Sequence, residues 1–286
     1  MDILTISDIF LVVIAFLWLI TASFIDIKKR EIPNWLSFSL LAIAFALRLM
    51  VSISTGQWSY FLYALLAFVI FFLIANILYY TKSFGGGDAK LLMALAVVLA
   101  TTPSFIQGNE PFLLSFVINI LVIGSVYSLI FSIFLAIKNR KSFVFEFKRI
   151  HSETKKLRIF FYITSAICLV LSFMSSWFVL LLLVFLIFPY LFFFAKAVEK
   201  SSMIRQVSAQ DISEGDWLVH QVKINNKTIK PSVHGLSSDE IKFIRKANKK
   251  VPIKYGIPFV PVFLLALISS LLLGDLLIWI ITRILL

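Results

Sequence analysis

Long apolar segments separated by short polar ones run through the chain from end to end. Eight stretches reach or approach the length of a bilayer-spanning helix: residues 8–26, 35–54, 58–80, 88–106, 112–137, 158–173, 176–195 and 257–284. A hydrocarbon core about 30 Å thick takes roughly 20 apolar residues to cross, so the sixth is the shortest fit. The polar remainder gathers in two places. Residues 138–157 are basic and interleaved with Phe143, Phe145 and Phe147, which suits a loop lying on anionic headgroups with its rings inserted. In 197–256, Trp217 to Ile224 and Thr228 to Lys230 flank Asn225-Asn226-Lys227 as a small hairpin. Ser237 with Glu240 then forms a capping box, and Leu236 with Ile241 a hydrophobic staple, at the start of a helix.

This pattern predicts an all-α polytopic membrane protein with about eight transmembrane helices and a small α+β cytoplasmic subdomain. Its expected parts are a membrane domain at 1–137 holding spans one to five, the basic loop at 138–157, a further transmembrane hairpin at 158–196, the subdomain at 197–256 and a last transmembrane helix at 257–286. The composition agrees, since 60% of the 286 residues are hydrophobic, against roughly 45 to 50% in soluble domains. The first apolar segment has no basic stretch before it and Lys28, Lys29 and Arg30 after it, the mark of a retained anchor rather than a cleaved signal.

The net charge of +12 changes the picture only through its distribution. Of the 27 Lys and Arg, all but Arg48 and Arg283 fall in one set of loops. That asymmetry is the positive-inside pattern, so those loops are expected in the cytoplasm and both termini outside a multi-pass cell membrane protein. A basic rim of this kind is what orientation requires. With no aromatic and basic platform beside it, nucleic acid is excluded as a partner. Membrane lipid is the expected contact of the basic segments.

Against this apolar background the acids stand out. An ionisable side chain in a spanning helix costs at least ~2.5 to 3.5 kcal/mol on insertion scales and usually marks a working site. Asp26 ends the first apolar segment and Asp88 opens the fourth, directly after Gly85-Gly86-Gly87. Two spans between them return the chain to the same side, so both acids are expected at matched depth near the cytoplasmic face. Asp8 and Asp275 fall toward the outer ends of their spans, the wrong side for pairing with Asp26. Asn76, Ser125 and Ser128 are expected to hydrogen-bond between helices.

Other hydrolytic chemistries lack their parts. No H-E-x-x-H pair is present for a zinc protease, and His151, His220 and His234 all lie in expected cytoplasmic segments rather than in a span. Cys168 is the only cysteine, which excludes intramolecular disulfides and cysteine-rich zinc modules, and it reads as an apolar filler. A carboxylate pair remains, one Asp as base on water and the other, protonated, polarising a scissile carbonyl. No metal and no cofactor is expected. Two neighbouring carboxylates should share one proton. Because Asp88 begins a helix and Asp26 ends one, the helix dipoles favour that proton on Asp26. A glycine run before a helix can also be a plain cap, and paired intramembrane acids serve transporters and proton pathways too, where internal repeats or broken helices would be expected.

Taken together, Asp26 with Lys28, Arg30, Ile32, Pro33 and Asn34, and Gly85-Gly86-Gly87-Asp88 with Ala89, Lys90 and Leu91, resemble the GxGD aspartic proteases. The likeness is greatest to the archaeal preflagellin and prepilin peptidases of the type IV prepilin peptidase family. Asp216 to Val219 and Gly256 to Pro261 look like the archaeal branch. The resemblance implies that Asp26 and Asp88 are the catalytic pair and that Gly85 and Gly87 are the motif glycines. Gly86, Pro33, Asn34, Lys90 and Pro258 are then candidates for shaping the site or binding substrate. It also implies the partners: membrane-inserted archaellin or pilin precursors with a short basic leader before an apolar helix, cut at the cytoplasmic face. Acceptors for such a leader would come from Glu31, Asp211, Glu214, Asp216, Asp239 and Glu240. A presenilin-like protease shares the chemistry with other helical substrates. The chain departs from bacterial relatives in lacking a paired CxxC segment and any methyl-donor site. The family core has six spans, and 158–196 is the excess.

The orientation is open to measurement. In a Cys168→Ser background, single cysteines at Ser201 and Lys227 should react only with reagents that cross the membrane. Labelling of either from outside would overturn the orientation.

Overall fold

The computed structural model describes residues 2–106, 111–175, 177–224 and 227–285. It divides into two compact units, 1–128 with 256–286, and 129–255.

The first unit is a helical bundle. Helix α1 (Ile3–Lys29) starts where the Asp2 carboxylate accepts the Thr5 N–H, and it stops at Arg30, whose left-handed backbone returns its N–H to the Asp26 carbonyl at 2.7 Å. Three residues later α2 (Asn34–Thr55) begins behind Pro33, and it ends at Gly56 with φ of 73°. Helix α3 (Ser59–Tyr80) follows at once. Connections this short make successive helices antiparallel neighbours. Leu11, Ala15, Leu19 and Ala22 of α1 and Leu36, Leu40 and Ala44 of α2 form buried stripes. Small residues in such stripes let apolar helices approach closely where water provides no driving force between them.

Helix α4 (Gly86–Val98) is the centre of this unit. Ala89, Leu91, Leu92 and every residue from Ala94 to Val98 are buried, as a helix apolar on all sides requires. Helix α5 (Phe112–Lys138) adds Phe112, Phe116 and Ile120 to the core, and α10 (Val260–Leu273) adds Val260, Val262, Phe263, Ala266 and Leu267. On the opposite faces of α1, α2 and α3 large apolar side chains such as Phe10, Leu17, Met50, Leu62 and Leu73 stay exposed, the surface a bilayer would cover.

The second unit holds α6 (Arg140–Glu153), α7 (Lys155–Leu171) and α8 (Trp177–Val198), the last continued by a π-helical turn at Glu199–Met203. Strands β1 (Ile204–Val207), β5 (Val251–Lys254) and β2 (Trp217–Leu218) form an antiparallel sheet in the order β1-β5-β2. A separate ladder pairs β3 (Val222–Ile224) with β4 (Lys227–Ile229). Helix α9 (Ser238–Lys246) opens on the expected capping box, with Ser237 and Glu240 exchanging bonds and Leu236 and Ile241 in one core.

The membrane architecture stands, with a different count. Among the described residues five helices are long and apolar enough to cross a membrane: α1, α2, α3, α5, and α8 with its π turn. A sixth arises if α10 and α11 (Leu276–Leu285), bent by 53° at their junction, form one span. The expected fourth span is a 13-residue helix because the chain leaves it at Leu99, before Thr101-Thr102-Pro103. The expected sixth is 17 residues long.

Three local expectations change. The basic loop is helical over α6: Phe143, Phe147 and Ile150 recur at helical spacing and pack on Phe193 and Phe194 of α8, while Phe145 stays exposed. Trp217 and Leu218 pair with β5 instead of joining the hairpin, whose turn residues Asn225 and Asn226 lie outside the described residues. Residues 107–110 and Ser176, between apolar segments, also lie outside them.

The bend between α10 and α11 has a visible reason. Gly274 has φ of 69° and ψ of −130°, a backbone state that side chains disfavour. Asp275 then caps α11 by accepting the Leu277 and Ile278 N–H groups. Asn119 of α5 bonds across the break, donating to Ser270 Oγ and the Gly274 carbonyl and accepting the Leu276 N–H, each at 2.8 Å. Asn119 thus hydrogen-bonds between helices, whereas Asn76 and Ser125 bond back to Phe72 and Leu121 of their own helices. Removing its side chain leaves several buried groups unpaired at about 1 to 3 kcal/mol each. Asn119→Ala should lower the detergent-solubilised protein's melting temperature by several degrees, and an unchanged melting curve would refute this role.

Candidate active site

Three stretches of the first unit converge at one end of its bundle: the end of α1, the start of α4 and the start of α10. Asp26 lies one turn before the end of α1 and is only 5% exposed. A buried carboxylate needs hydrogen-bond donors. It finds one across the fold, where its Oδ2 accepts the Val260 N–H at 3.0 Å at the first turn of α10. Pro261 leaves that turn a donor short, and the adjacent Phe259 N–H also points at Asp26. Arg30, one turn on, donates to the Gly256 carbonyl at 3.2 Å and pins the approach to α10.

Asp88 is the third residue of α4 and half-buried. Its Oδ2 accepts the Gly85 N–H at 3.2 Å, so it caps its own helix as well as facing Asp26. The two carboxylates lie close enough to interact electrostatically, and Tyr127 of α5 interacts with Asp26 in the same way. Each acid stands at a helix N-terminus, Asp88 on α4 and Asp26 against α10. Asp26 ends α1 and Asp88 begins α4, as the helix-end placement of their shared proton on Asp26 requires, but the N-terminal turn of α10 opposes the α1 dipole at Asp26.

The three glycines do different things. A Cβ on Gly87 would meet Ile32 Cβ at 2.8 Å, so the α1–α2 turn can sit on the start of α4 only if residue 87 has no side chain. One on Gly85 would stand 3.1 Å from Asp88 Oδ2 and crowd the carboxylate. One on Gly86 would make an ordinary 3.5 Å contact with Tyr79.

Among the other sequence candidates, Lys90 donates to Asn34 Oδ1 at 2.7 Å and ties α4 to the start of α2. Pro33 holds the extended residue before α2. Pro258 is buried in the irregular stretch ahead of α10. Sequence reading missed Tyr127, the Val260 N–H and Gly124. A Cβ on Gly124 would come within 2.9 Å of Phe259, so this glycine lets α10 enter against α5. An isolated glycine within a helical pattern was the available signal. Phe84, Phe259 and Phe263, with ring centroids 5.2 to 6.0 Å apart, close the apolar side. Among the described residues no cluster of His, Cys, Asp and Glu has metal-binding geometry.

Residues 13–137 match the type IV leader peptidase family, which bears out the resemblance carried by the two aspartate motifs. The match includes Asp26 and Asp88 and stops short of α10. The chain is similar to the preflagellin peptidase of Methanococcus voltae, 31% identical over 86 residues, or 30% of this chain and 36% of the relative. It is also similar to the prepilin peptidase EppA of Methanothermobacter thermautotrophicus, 26% identical over 156 residues, or 51% of this chain and 40% of the relative. The chain thus spans well under half the length of either relative. No solved structure matches it.

The glycine geometry gives a test of packing that needs no substrate. Gly87→Ala overpacks against Ile32, at about 1 to 3 kcal/mol, while Gly86→Ala gains up to about 1 kcal/mol of helix propensity. Thermal unfolding should rank the proteins Gly86→Ala at or above wild type and Gly87→Ala clearly below. Equal stability of the two variants would contradict the role assigned to Gly87.

Proposed function

We propose that this protein is an aspartic endopeptidase of the membrane that removes the short basic leader from archaellin or type IV pilin-like precursors at the cytoplasmic face. The observation that carries the reading is the meeting of Asp26 and Asp88, acids from separate helices, at one end of an otherwise apolar bundle. Such a pair needs no covalent intermediate. One carboxylate takes a proton from water as it attacks and later passes it to the leaving amine, while the other, protonated, donates to the carbonyl oxygen and recovers that proton as the tetrahedral intermediate collapses. Two acids this close hold a single proton cheaply and two negative charges dearly.

The surroundings suit an extended peptide. Gly85 keeps a side chain away from the Asp88 carboxylate, and the N-terminal turn of α10 supplies fixed donors that hold Asp26 in place. A site at the end of the bundle, rather than midway, gives access to water and to a peptide bond just outside a helical segment. The names of the two relatives and the family match support precursors of this class. The charge asymmetry supports the cytoplasmic side.

An ion or proton pathway also uses intramembrane acids, and the bend between α10 and α11 is a broken span of the kind such proteins have. The break is held by Asn119, an uncharged residue, and Asp26 stands at the other end of α10. The acids and the break therefore do not make one site, which favours the peptidase.

Purified protein in vesicles should shorten a precursor bearing a basic leader, with mass spectrometry locating a single cut before the apolar helix. Asp26→Asn and Asp88→Asn should each reduce the rate by at least about 10⁴-fold, in the range seen when an essential catalytic group is removed. Substantial cleavage by either variant, or acid-dependent proton flux without cleavage, would sink the assignment.

A further inference from the structure

At the end of the first unit opposite the aspartate pair, a second set of buried charges joins the same helices. Asp8 and Asp26 are separated by about five turns of α1 and lie on one face of it, ~27 Å apart along the axis. Asp8 accepts the Ser104 N–H at 2.9 Å, the Ser104 hydroxyl at 2.6 Å and the Tyr60 hydroxyl at 2.7 Å. Arg48 of α2 is 1% exposed. Its guanidinium donates to the Val98 carbonyl at 2.9 Å, to Thr101 Oγ1 at 3.2 Å and to the Tyr60 carbonyl at 3.1 Å, and lies 4.4 Å from the Tyr60 ring centre. Val98 is the last residue of α4, and Thr101 and Ser104 follow it. A cation at this point also meets the negative end of the α4 dipole.

Helix α4 needs such a hold more than its neighbours do. Its 13 residues make it about 20 Å long, too short for the bilayer to fix its depth. Between Lys90 and Thr101 it carries only apolar side chains, several of them alanines. Its sides therefore make no polar tie to α2 and α3, the helices it packs on most, and polar ties fix its axial position at its two ends.

We propose that Arg48 and Asp8 are positioning residues for the aspartate pair: by fastening the outer end of α4 to α1, α2 and α3, they set the register in which Asp88 meets Asp26. This rests on the peptidase reading above. Without that anchor a shift of even one residue's rise, about 1.5 Å, moves Asp88 relative to Asp26. Displacements of about 1 Å in a catalytic arrangement can cost ~10²-fold in rate.

The test compares Arg48→Met, Arg48→Lys and Asp8→Asn with Asn119→Ala, which removes a buried polar hub on α5 that holds α10 and α11 and makes no bond to α4. For each, kcat and KM on precursor are measured per folded molecule. In parallel, spin labels at the exposed positions Ile27 and Ser83, in a Cys168→Ser background, report the spacing between the end of α1 and the approach to α4. Arg48→Met and Asp8→Asn should lower kcat by about 10- to 100-fold with KM within about twofold, and should broaden or shift the label distance. Arg48→Lys should recover part of both, since it keeps the charge and loses the fork. Asn119→Ala should lower the melting temperature and leave kcat and the distance unchanged. If Arg48→Met does not fold, Asp8→Asn and Arg48→Lys decide alone. Wild-type kcat and label distance in the anchor variants, or the same kinetic loss in Asn119→Ala, would overturn the proposal. A wild-type chain that cleaves no precursor refutes the peptidase, and the label distances then decide the anchoring.

Discussion

Asp26 is a carboxylate buried in an apolar bundle, and a hydrogen bond from across the fold helps make that placement tolerable: the Val260 N–H, 234 residues away in the chain, donates to it at 3.0 Å. Removing a carboxylate from water without donors costs far more than most single interactions return. The bond therefore couples the end of α1 to the beginning of α10. Much of the site follows from meeting that constraint. Gly124 makes room for Phe259 so that α10 can enter, Arg30 holds the Gly256 carbonyl on its approach, and the rings of Phe84, Phe259 and Phe263 seal the apolar side.

The other acid is held by different means. Asp88 reaches the same place because the helix that carries it has bare backbone where it touches the α1–α2 turn. Gly87 admits Ile32, and the Lys90–Asn34 bond fixes the flank. The glycines thus serve first to let two pieces of protein meet and second to keep the carboxylate uncrowded. A short helix such as α4, apolar from Leu91 onward, brings its own difficulty, since beyond its first turns no polar tie along its sides records its position. Charges at both ends supply that record, which is why an arginine sits buried in this bundle.

The readable parts of this structure were those in which one short stretch carries the whole signal. Asp26 and Asp88 showed themselves as charges at the margins of apolar runs, and Ser237 with Glu240 marked the start of α9. The length of α4 was hidden because residues 99–106 are nearly as apolar as the helix before them, and only Thr101-Thr102-Pro103 hinted at an end. The amphipathic spacing of Phe143, Phe147 and Ile150 was present, but the surrounding charges drew attention away from it. The roles of Asn119, Arg48 and Asp8 were illegible in principle, because each is defined by partners on other helices. Asp8 was correctly kept apart from Asp26, yet its tie to Ser104 could not be read from any window of sequence.

The central claim is that the two acids act as one unit, and a double-variant cycle addresses it most directly. Single-turnover cleavage of one precursor would be measured for Asp26→Asn, Asp88→Asn and the protein carrying both changes. Groups that work as a unit are strongly non-additive, so the double variant should be no slower than the worse of the two single variants. Losses that multiply, with each acid contributing independently of the other, would contradict the account.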